Sequence, residues 1–280
     1  MVAARRAARR GALLVLVLAV LYGVWEGWRW IGTHFHLTWP FTVDDTTMPH
    51  LHRIVRALFE PAQANGPSLL RILWHASLFT AKEAALGLVL GGVIGFAIAV
   101  VLSQSRVLQR GFIPYIVASQ TIPLLAIAPM VVVGLGTKGV RDWVSVAVLA
   151  AYLTFFPVTI NALRGLESAD PRALELMRSY AAGRWRILWK LRVPASLPFL
   201  FSAFRIAAPL SIVGAIISEP AASIQGGLGG AIVNFNQYYS IEPQELWATN
   251  LIAAIVGISF FLIVVGAERA IVRRAPEHVA

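Results

Sequence analysis

The chain has 280 residues, is 58% apolar before its 22 glycines are counted, and is only 14% charged. Soluble domains average about 45–50% apolar with glycine included and about 25% charged. Thirty-eight charged side chains are therefore too few for a water-covered surface, and lipid must be the solvent for much of it. The absence of cysteine excludes disulfides, thiolate zinc sites, iron–sulfur clusters and cysteine nucleophiles.

A helix needs about 20 mostly apolar residues to cross roughly 30 Å of hydrocarbon. The first such run follows four arginines, in MVAARRAARRGALLVLVLAVLYGVW. It has the basic and apolar parts of a signal peptide, but the apolar part is long and no small-x-small site closes it. An uncleaved first span over Gly11–Ile31 is expected. The segment Thr33–Thr80 that follows is broken at Asn65-Gly66-Pro67. Within it, Leu51–Phe59 has apolar residues at helical spacing, as in a helix lying on the membrane face. His34, His36, His50, His52 and His75 gather here, yet their spacing and the lack of nearby clustered carboxylates predict no metal site.

Five more runs complete a six-span reading: Ala84–Leu102, Phe112–Gly134, Trp143–Leu163, Phe199–Ser218 and Ala248–Val272. None alternates with period two, so a β-barrel is a poor reading. Gly87, Gly91, Gly92 and Gly95 in the second run allow close backbone approach, which predicts a central position for that helix. Pro123 and Pro129 interrupt the third run and Pro209 the fifth; such breaks are tolerated where freed backbone lines a cavity or is covered by protein. Gln120, Thr121, Asn161, Ser211 and Glu219 are the polar groups expected near a translocation route. For Glu219 a solvated helix terminus is the competing reading. Arg205 stands within a span, either as a functional ionisable group or snorkelling to the interface.

With the N-terminus inside, sixteen of the 24 basic residues fall on inner segments: Arg5, Arg6, Arg9 and Arg10, then Arg106 and Arg110, the long loop from Arg164 to Arg192, and Arg269, Arg273 and Arg274. Asp44, Asp45, Glu60, Asp142, Glu242 and Glu245 fall on the other side. The bias predicts both termini in the cytoplasm. The net charge of +10 is then topological, and no nucleic-acid partner is expected. The predicted fold class is all-α: a polytopic transmembrane helical bundle.

The most informative stretch is the long inner loop, Ala169–Leu200. Asp170 before Pro171 is an N-cap followed by proline at the first helical position. A helix is expected to run through Leu174 and Met177 to a break at Gly183. A second amphipathic piece over Trp185–Leu191 is expected to stop at Pro194. Such a pair reads as a docking knob or as a basic surface connector.

This loop resembles the "EAA" loop of inner-membrane subunits of binding-protein-dependent ABC importers, of form E-A-A-x3-G-x9-I-x-L-P. Glu175 takes the acidic place and Leu191-x-Val193-Pro194 the I-x-L-P place, while Leu176 and Met177 replace the alanines and Ala181 the glycine. His75-Ala76-Ser77-Leu78, Gln120–Pro129 with Gly134-x-Gly136, Phe155-Phe156-Pro157 with Asn161, Ala162 and Gly165, and Glu219 with Gly227-Leu228-Gly229 are similar to the nitrate/sulfonate/taurine branch. The resemblance spans about Pro67 to Val272. It implies a 1–74 segment of one span plus a periplasmic amphipathic piece, a 75–272 permease core with the loop at 164–198, and a 273–280 cytoplasmic tail.

It further implies a permease subunit in the bacterial inner membrane, paired with a second copy and served by a separate ATP-binding subunit and a periplasmic solute-binding protein. Arg172, Glu175, Arg178, Ala181, Ala182, Gly183 and Pro194 would carry the coupling to the ATPase. The branch suggests a small solute: nitrate, an alkanesulfonate, taurine or a pyrimidine-type vitamin precursor. The outer loop Gln225–Tyr239, with Asn234, Phe235, Asn236 and Tyr238, would serve the outer gate or the docking face. The chain holds no G-x4-G-K-[S/T] loop, so energy is expected from another polypeptide, with no cofactor in this one. The rival readings are an ATPase-independent secondary transporter, which often shows internal repeats not found here, and a membrane-embedded enzyme. The enzyme would need paired groups at matching depth, whereas no histidine falls inside a span and Lys82-Glu83 stand alone at one edge.

Overall fold

The structure, a computed structural model, describes residues 2–35, 42–62 and 66–272. His36, Asn65 and the 273–280 tail with Arg273 and Arg274 lie outside the described residues. The described chain is helical without a named strand: α1 (Val2–His34), α2 (Leu51–Ala57), α3 (Leu69–Leu102), α4 (Arg106–Ser119), α5 (Leu124–Gly136), α6 (Asp142–Glu167), α7 (Pro171–Ser179), α8 (Arg184–Ile187), α9 (Val193–Ser218), α10 (Leu228–Gln237) and α11 (Pro243–Val272). Five helical stretches are long and apolar enough to cross a membrane: Gly11–His34, Leu69–Leu102, Asp142–Glu167, Arg184–Ser218 and Pro243–Val272. A bent pair, α4 with α5, makes up to six.

Three expectations change. The third run is not one rod: α4 and α5 meet at 94°. Pro123, the residue before α5, has no N–H to extend α4, and its extended backbone turns the chain. The second span begins at Leu69, which brings Lys82 and Glu83 inside a 34-residue helix. The amphipathic piece over Trp185–Leu191 does not stop at Pro194. A π-helical turn, Leu188–Arg192, carries α8 into α9; its wider ring absorbs the carbonyl clash and missing donor that a proline imposes.

Two compact units divide the chain: Met1–Ile72 with Asn234–Asn250, and Leu73–Val233 with Leu251–Ala280. In the first, buried Arg29 organises the segment after α1. Its guanidinium donates to Met48 O, to Asp45 Oδ1 and, at 3.1 Å, to His50 Nε2. Because that ring nitrogen accepts, His50 Nδ1 is the donor to Glu26 Oε2, 2.9 Å away. Arg53 Nη1 adds a second cation at 2.9 Å from Asp45.

In the second unit α3 packs against α6 through a glycine stripe. A Cβ at Gly87 would lie 2.5 Å from Ala150 Cβ, at Gly91 1.9 Å from Thr154 Oγ1, and at Gly95 2.6 Å from Phe155 O. Gly214 of α9 closes on Ala150 from another side, where a Cβ would stand 2.9 Å from its Cα. These contacts are the close backbone approach expected of the glycine-rich helix. Below the stripe, Ala99, Leu102, Ala162, Leu163, Leu166 and Leu188 form one buried cluster.

Two outcomes follow. Gly91→Val should destabilise the purified chain by about 1–3 kcal/mol, while Gly257→Ala, with nothing within 4 Å, should be near neutral; thermal midpoints in detergent compare them. Hydrogen bonds from Arg29 and Arg53 hold the Asp45 carboxyl below the usual aspartate range despite partial desolvation. That contribution is complete above the unfolded value near 3.9 and is lost as pH falls through the lower folded value. Hydrogen-exchange protection of residues 44–51 should therefore hold from pH 7 to about 4 and decline only below, whereas Asp45→Asn should lose it at pH 7.

Candidate functional site

The long loop builds as a short helix, a left-handed turn and a second anchored helix. Asp170 accepts from Arg172 N–H at 2.9 Å, capping α7 as its sequence predicts. The helix ends at Ser179, and Ala181 adopts φ 52°, the left-handed region. This is the position where the family pattern has glycine, so the sequence departure costs backbone strain of about 1–2 kcal/mol. The break thus lies two residues before Gly183, which itself has an extended conformation and starts α8.

No residue of α7 is buried. Leu176 (58% exposed), Tyr180 (77%) and Trp185 (70%) form an uncovered apolar surface on the loop. Arg172, Glu175, Arg178, Ala181, Gly183 and Pro194 are also exposed, and Ala182 is half-buried. Among the described residues no ion pair joins Glu175 to Arg178. What holds the loop to the bundle is Leu188, 1% exposed and packed with Leu102, Leu163 and Leu166 at the ends of α3 and α6.

The expected polar groups of the route fall in different environments. Gln120 and Thr121 stand at the 94° bend; Thr121 is exposed and bonds Ala118 O at 2.7 Å, while Gln120 Nε2 is buried without a partner among the described residues. Asn161 is half-buried and donates to Pro157 O, and buried Ser211 donates to Ala208 O, each at 2.8 Å. Glu219 is fully buried rather than a solvated terminus. Its Oε1 accepts from Thr80 Oγ1 and its Oε2 from Gly229 N–H, while Thr80 in turn accepts from Leu228 N–H. The carboxylate so caps the start of α10, and the glycines make room: a Cβ at Gly227 would sit 2.3 Å from it.

Sequence reasoning missed Thr80 and the burial of Glu83, whose two carboxylate oxygens have no partner among the described residues. The legible signal was a glutamate eight residues ahead of a glycine cluster that opens a helix. Arg205 is paired rather than merely snorkelling: its Nε donates to Glu268 Oε2 at 2.7 Å. The Gln225–Tyr239 segment is not a loop but mostly α10; Phe235 is buried and Tyr238 exposed, and a cavity of about 280 Å³ is lined by Asn234, Phe235, Tyr238 and Glu245.

The family model described as "Binding-protein-dependent transport system inner membrane component" matches residues 87–275. A probable ABC transporter permease protein of Haemophilus influenzae is 30% identical over 81% of this chain and 84% of its own length. The formylaminopyrimidine transport permease protein ThiX of Halalkalibacterium halodurans is 36% identical over 48% of this chain and 52% of its own. The putative aliphatic sulfonates transport permease protein SsuC of Bacillus subtilis is 28% identical over 62% and 61% respectively. Among solved structures, an amino acid ABC transporter with histidines aligns with 72% of this chain and 95% of that one, at TM-score 0.57 and 16% identity, so the fold is shared. With most of its length, the loop and its anchoring helices included, under one family description, the chain belongs to the inner-membrane components of binding-protein-dependent transport systems.

Proposed function

We propose that two copies of this chain enclose the translocation path of an ATP-driven importer, with both termini of each copy on the cytoplasmic side. The single observation that carries the coupling role is the exposed apolar surface of Leu176, Tyr180 and Trp185 on a loop pinned at Leu188. A separate ATP-binding subunit seats that surface, with Arg172, Glu175 and Arg178 at its edge. Its movement on ATP binding then reaches α3 and α6 through Leu188, because packed side chains shift as discrete units rather than deform. A solute-binding protein delivers the substrate on the opposite side. ATP hydrolysis belongs to the separate subunit, and this chain performs none.

The 94° bend lines the path. Backbone that leaves the helix at membrane depth is tolerated where protein or a water-filled cavity surrounds it, and Gln120 at this bend keeps a buried amide nitrogen with no partner among the described residues. The transported solute is small and either anionic or heterocyclic, in keeping with the sulfonate and formylaminopyrimidine names of the relatives.

Three experiments test this reading. Leu176→Asp with Tyr180→Ala should sharply reduce recovery of a Walker-motif ATPase with the tagged chain while leaving its thermal midpoint unchanged, since α7 buries nothing; undiminished recovery contradicts the coupling role. Ala181→Gly should preserve recovery and raise stability by up to about 1 kcal/mol by relieving the left-handed alanine, and Ala181→Val should lower both. For the path, Gln120→Leu should slow ATP-dependent uptake at unchanged ATPase recovery, and unchanged uptake would remove the bend from the route.

A further inference from the structure

A cavity of about 660 Å³ opens between the start of α4, the end of α6 and the inner side of α7. Arg106, Arg110, Arg178 and Arg192 line it, with Gln109 and a single carboxylate, Glu167. A second lobe of about 400 Å³ shares Arg178 and Arg192 and adds Arg184. Glu167 is already engaged, accepting from Gln109 Nε2 at 2.5 Å. Arg192 is held in place by one bond, Nη1 to Ser103 O at 3.2 Å, while its Nε is buried with no partner among the described residues. Four guanidinium groups sharing one carboxylate are left with excess positive charge and repel one another, and a planar donor fork left unsatisfied in a buried position costs free energy. Both effects are removed by an oxyanion that takes two or more N–H bonds at once.

The surroundings specify the source of that anion. The cavity lies where α3 and α6 end, at Leu102 and Glu167. Beside its arginines, Val101 (57% exposed), Val107 (79%), Phe112 (56%) and Tyr115 (75%) present apolar side chains outward. Cationic cavity and exposed apolar flank therefore meet at the end of spanning helices, the arrangement in which basic recesses hold acidic lipid headgroups. We propose that this cavity binds the phosphate of an anionic phospholipid, whose acyl chains lie along Val107 and Phe112. The lipid then bridges α4 to the loop through Arg178.

The test is native mass spectrometry of the full chain released from nanodiscs of phosphatidylglycerol, phosphatidylcholine or their mixture. The chain should retain about one phosphatidylglycerol in preference to phosphatidylcholine. Arg106→Gln with Arg110→Gln should weaken that retention about tenfold or more, the scale of one lost charge-assisted hydrogen bond. Arg71→Gln with Arg141→Gln removes the same charge at residues that do not line the cavity and should leave retention intact. Equal retention of both lipids by the unmodified chain overturns the proposal without reliance on any variant, as does equal loss in the two double variants. Displacement of the lipid by inorganic phosphate at equal concentration would assign the cavity to a free anion and overturn the lipid source. Loss of the bound lipid when the assembled transporter is used would assign it to a carboxylate of the ATP-binding subunit, and also overturns it.

Discussion

The close approach of α3 to α6 governs what the second unit can do. Lipid offers helices no hydrophobic reason to associate, so contact area and short-range packing must supply it. At Gly87, Gly91 and Gly95 the absent side chains let Ala147–Thr159 of α6 touch the α3 backbone, and the Thr154 hydroxyl shares its one proton between Ala151 O of its own helix at 3.1 Å and Gly87 O across the interface at 3.3 Å. This contact fixes the two ends of the pair. At one end Leu102, Leu163 and Leu166 receive Leu188 and so hold the α7 loop. Towards the other, Thr80 on the same α3 meets Glu219 and the start of α10. The loop and α10 are therefore mounted on one rigid pair, which is the mechanical condition for a movement at the first to be felt at the second.

The spans were legible because each contains a long apolar run and the membrane imposes their length. The bundle role of α3 was legible because a stripe of glycines at every fourth residue has few other uses in an apolar helix. The α7 N-cap was legible because Asp170-Pro171 satisfies two helix-start preferences at once. Other features were not. Hydropathy is blind to direction, so the third run concealed a 94° turn. Pro194 read as a stop because proline ends most helices, but a π turn at Leu188–Arg192 lets the chain continue. Lys82 and Glu83 read as an edge because charge truncated the apolar window, although the Lys82 ammonium lies 4.0 Å from the Trp143 ring centroid and Glu83 is buried. The Arg205–Glu268 pair joins residues 63 apart, a relation no local pattern contains.

The loop shows how a departure from a family pattern can be read physically. Alanine at 181 keeps the left-handed turn that glycine would adopt freely, so the bend survives at a backbone cost. What the loop offers outward is apolar and aromatic, Leu176, Tyr180 and Trp185, while its inner side is cationic around Arg178 and Arg192. An apolar outer surface suits a protein groove, and a cationic recess suits an acidic headgroup. On the two proposals made above, one small element faces two different partners.

The most direct measurement is hydrogen–deuterium exchange of the chain in nanodiscs, with and without its ATP-binding subunit. The account predicts slowed exchange over Leu174–Ile187 when the subunit is present, with the segment after α1, residues 42–50, unchanged. Exchange over Leu174–Ile187 that is identical in both states would contradict the assignment of this loop as the coupling element.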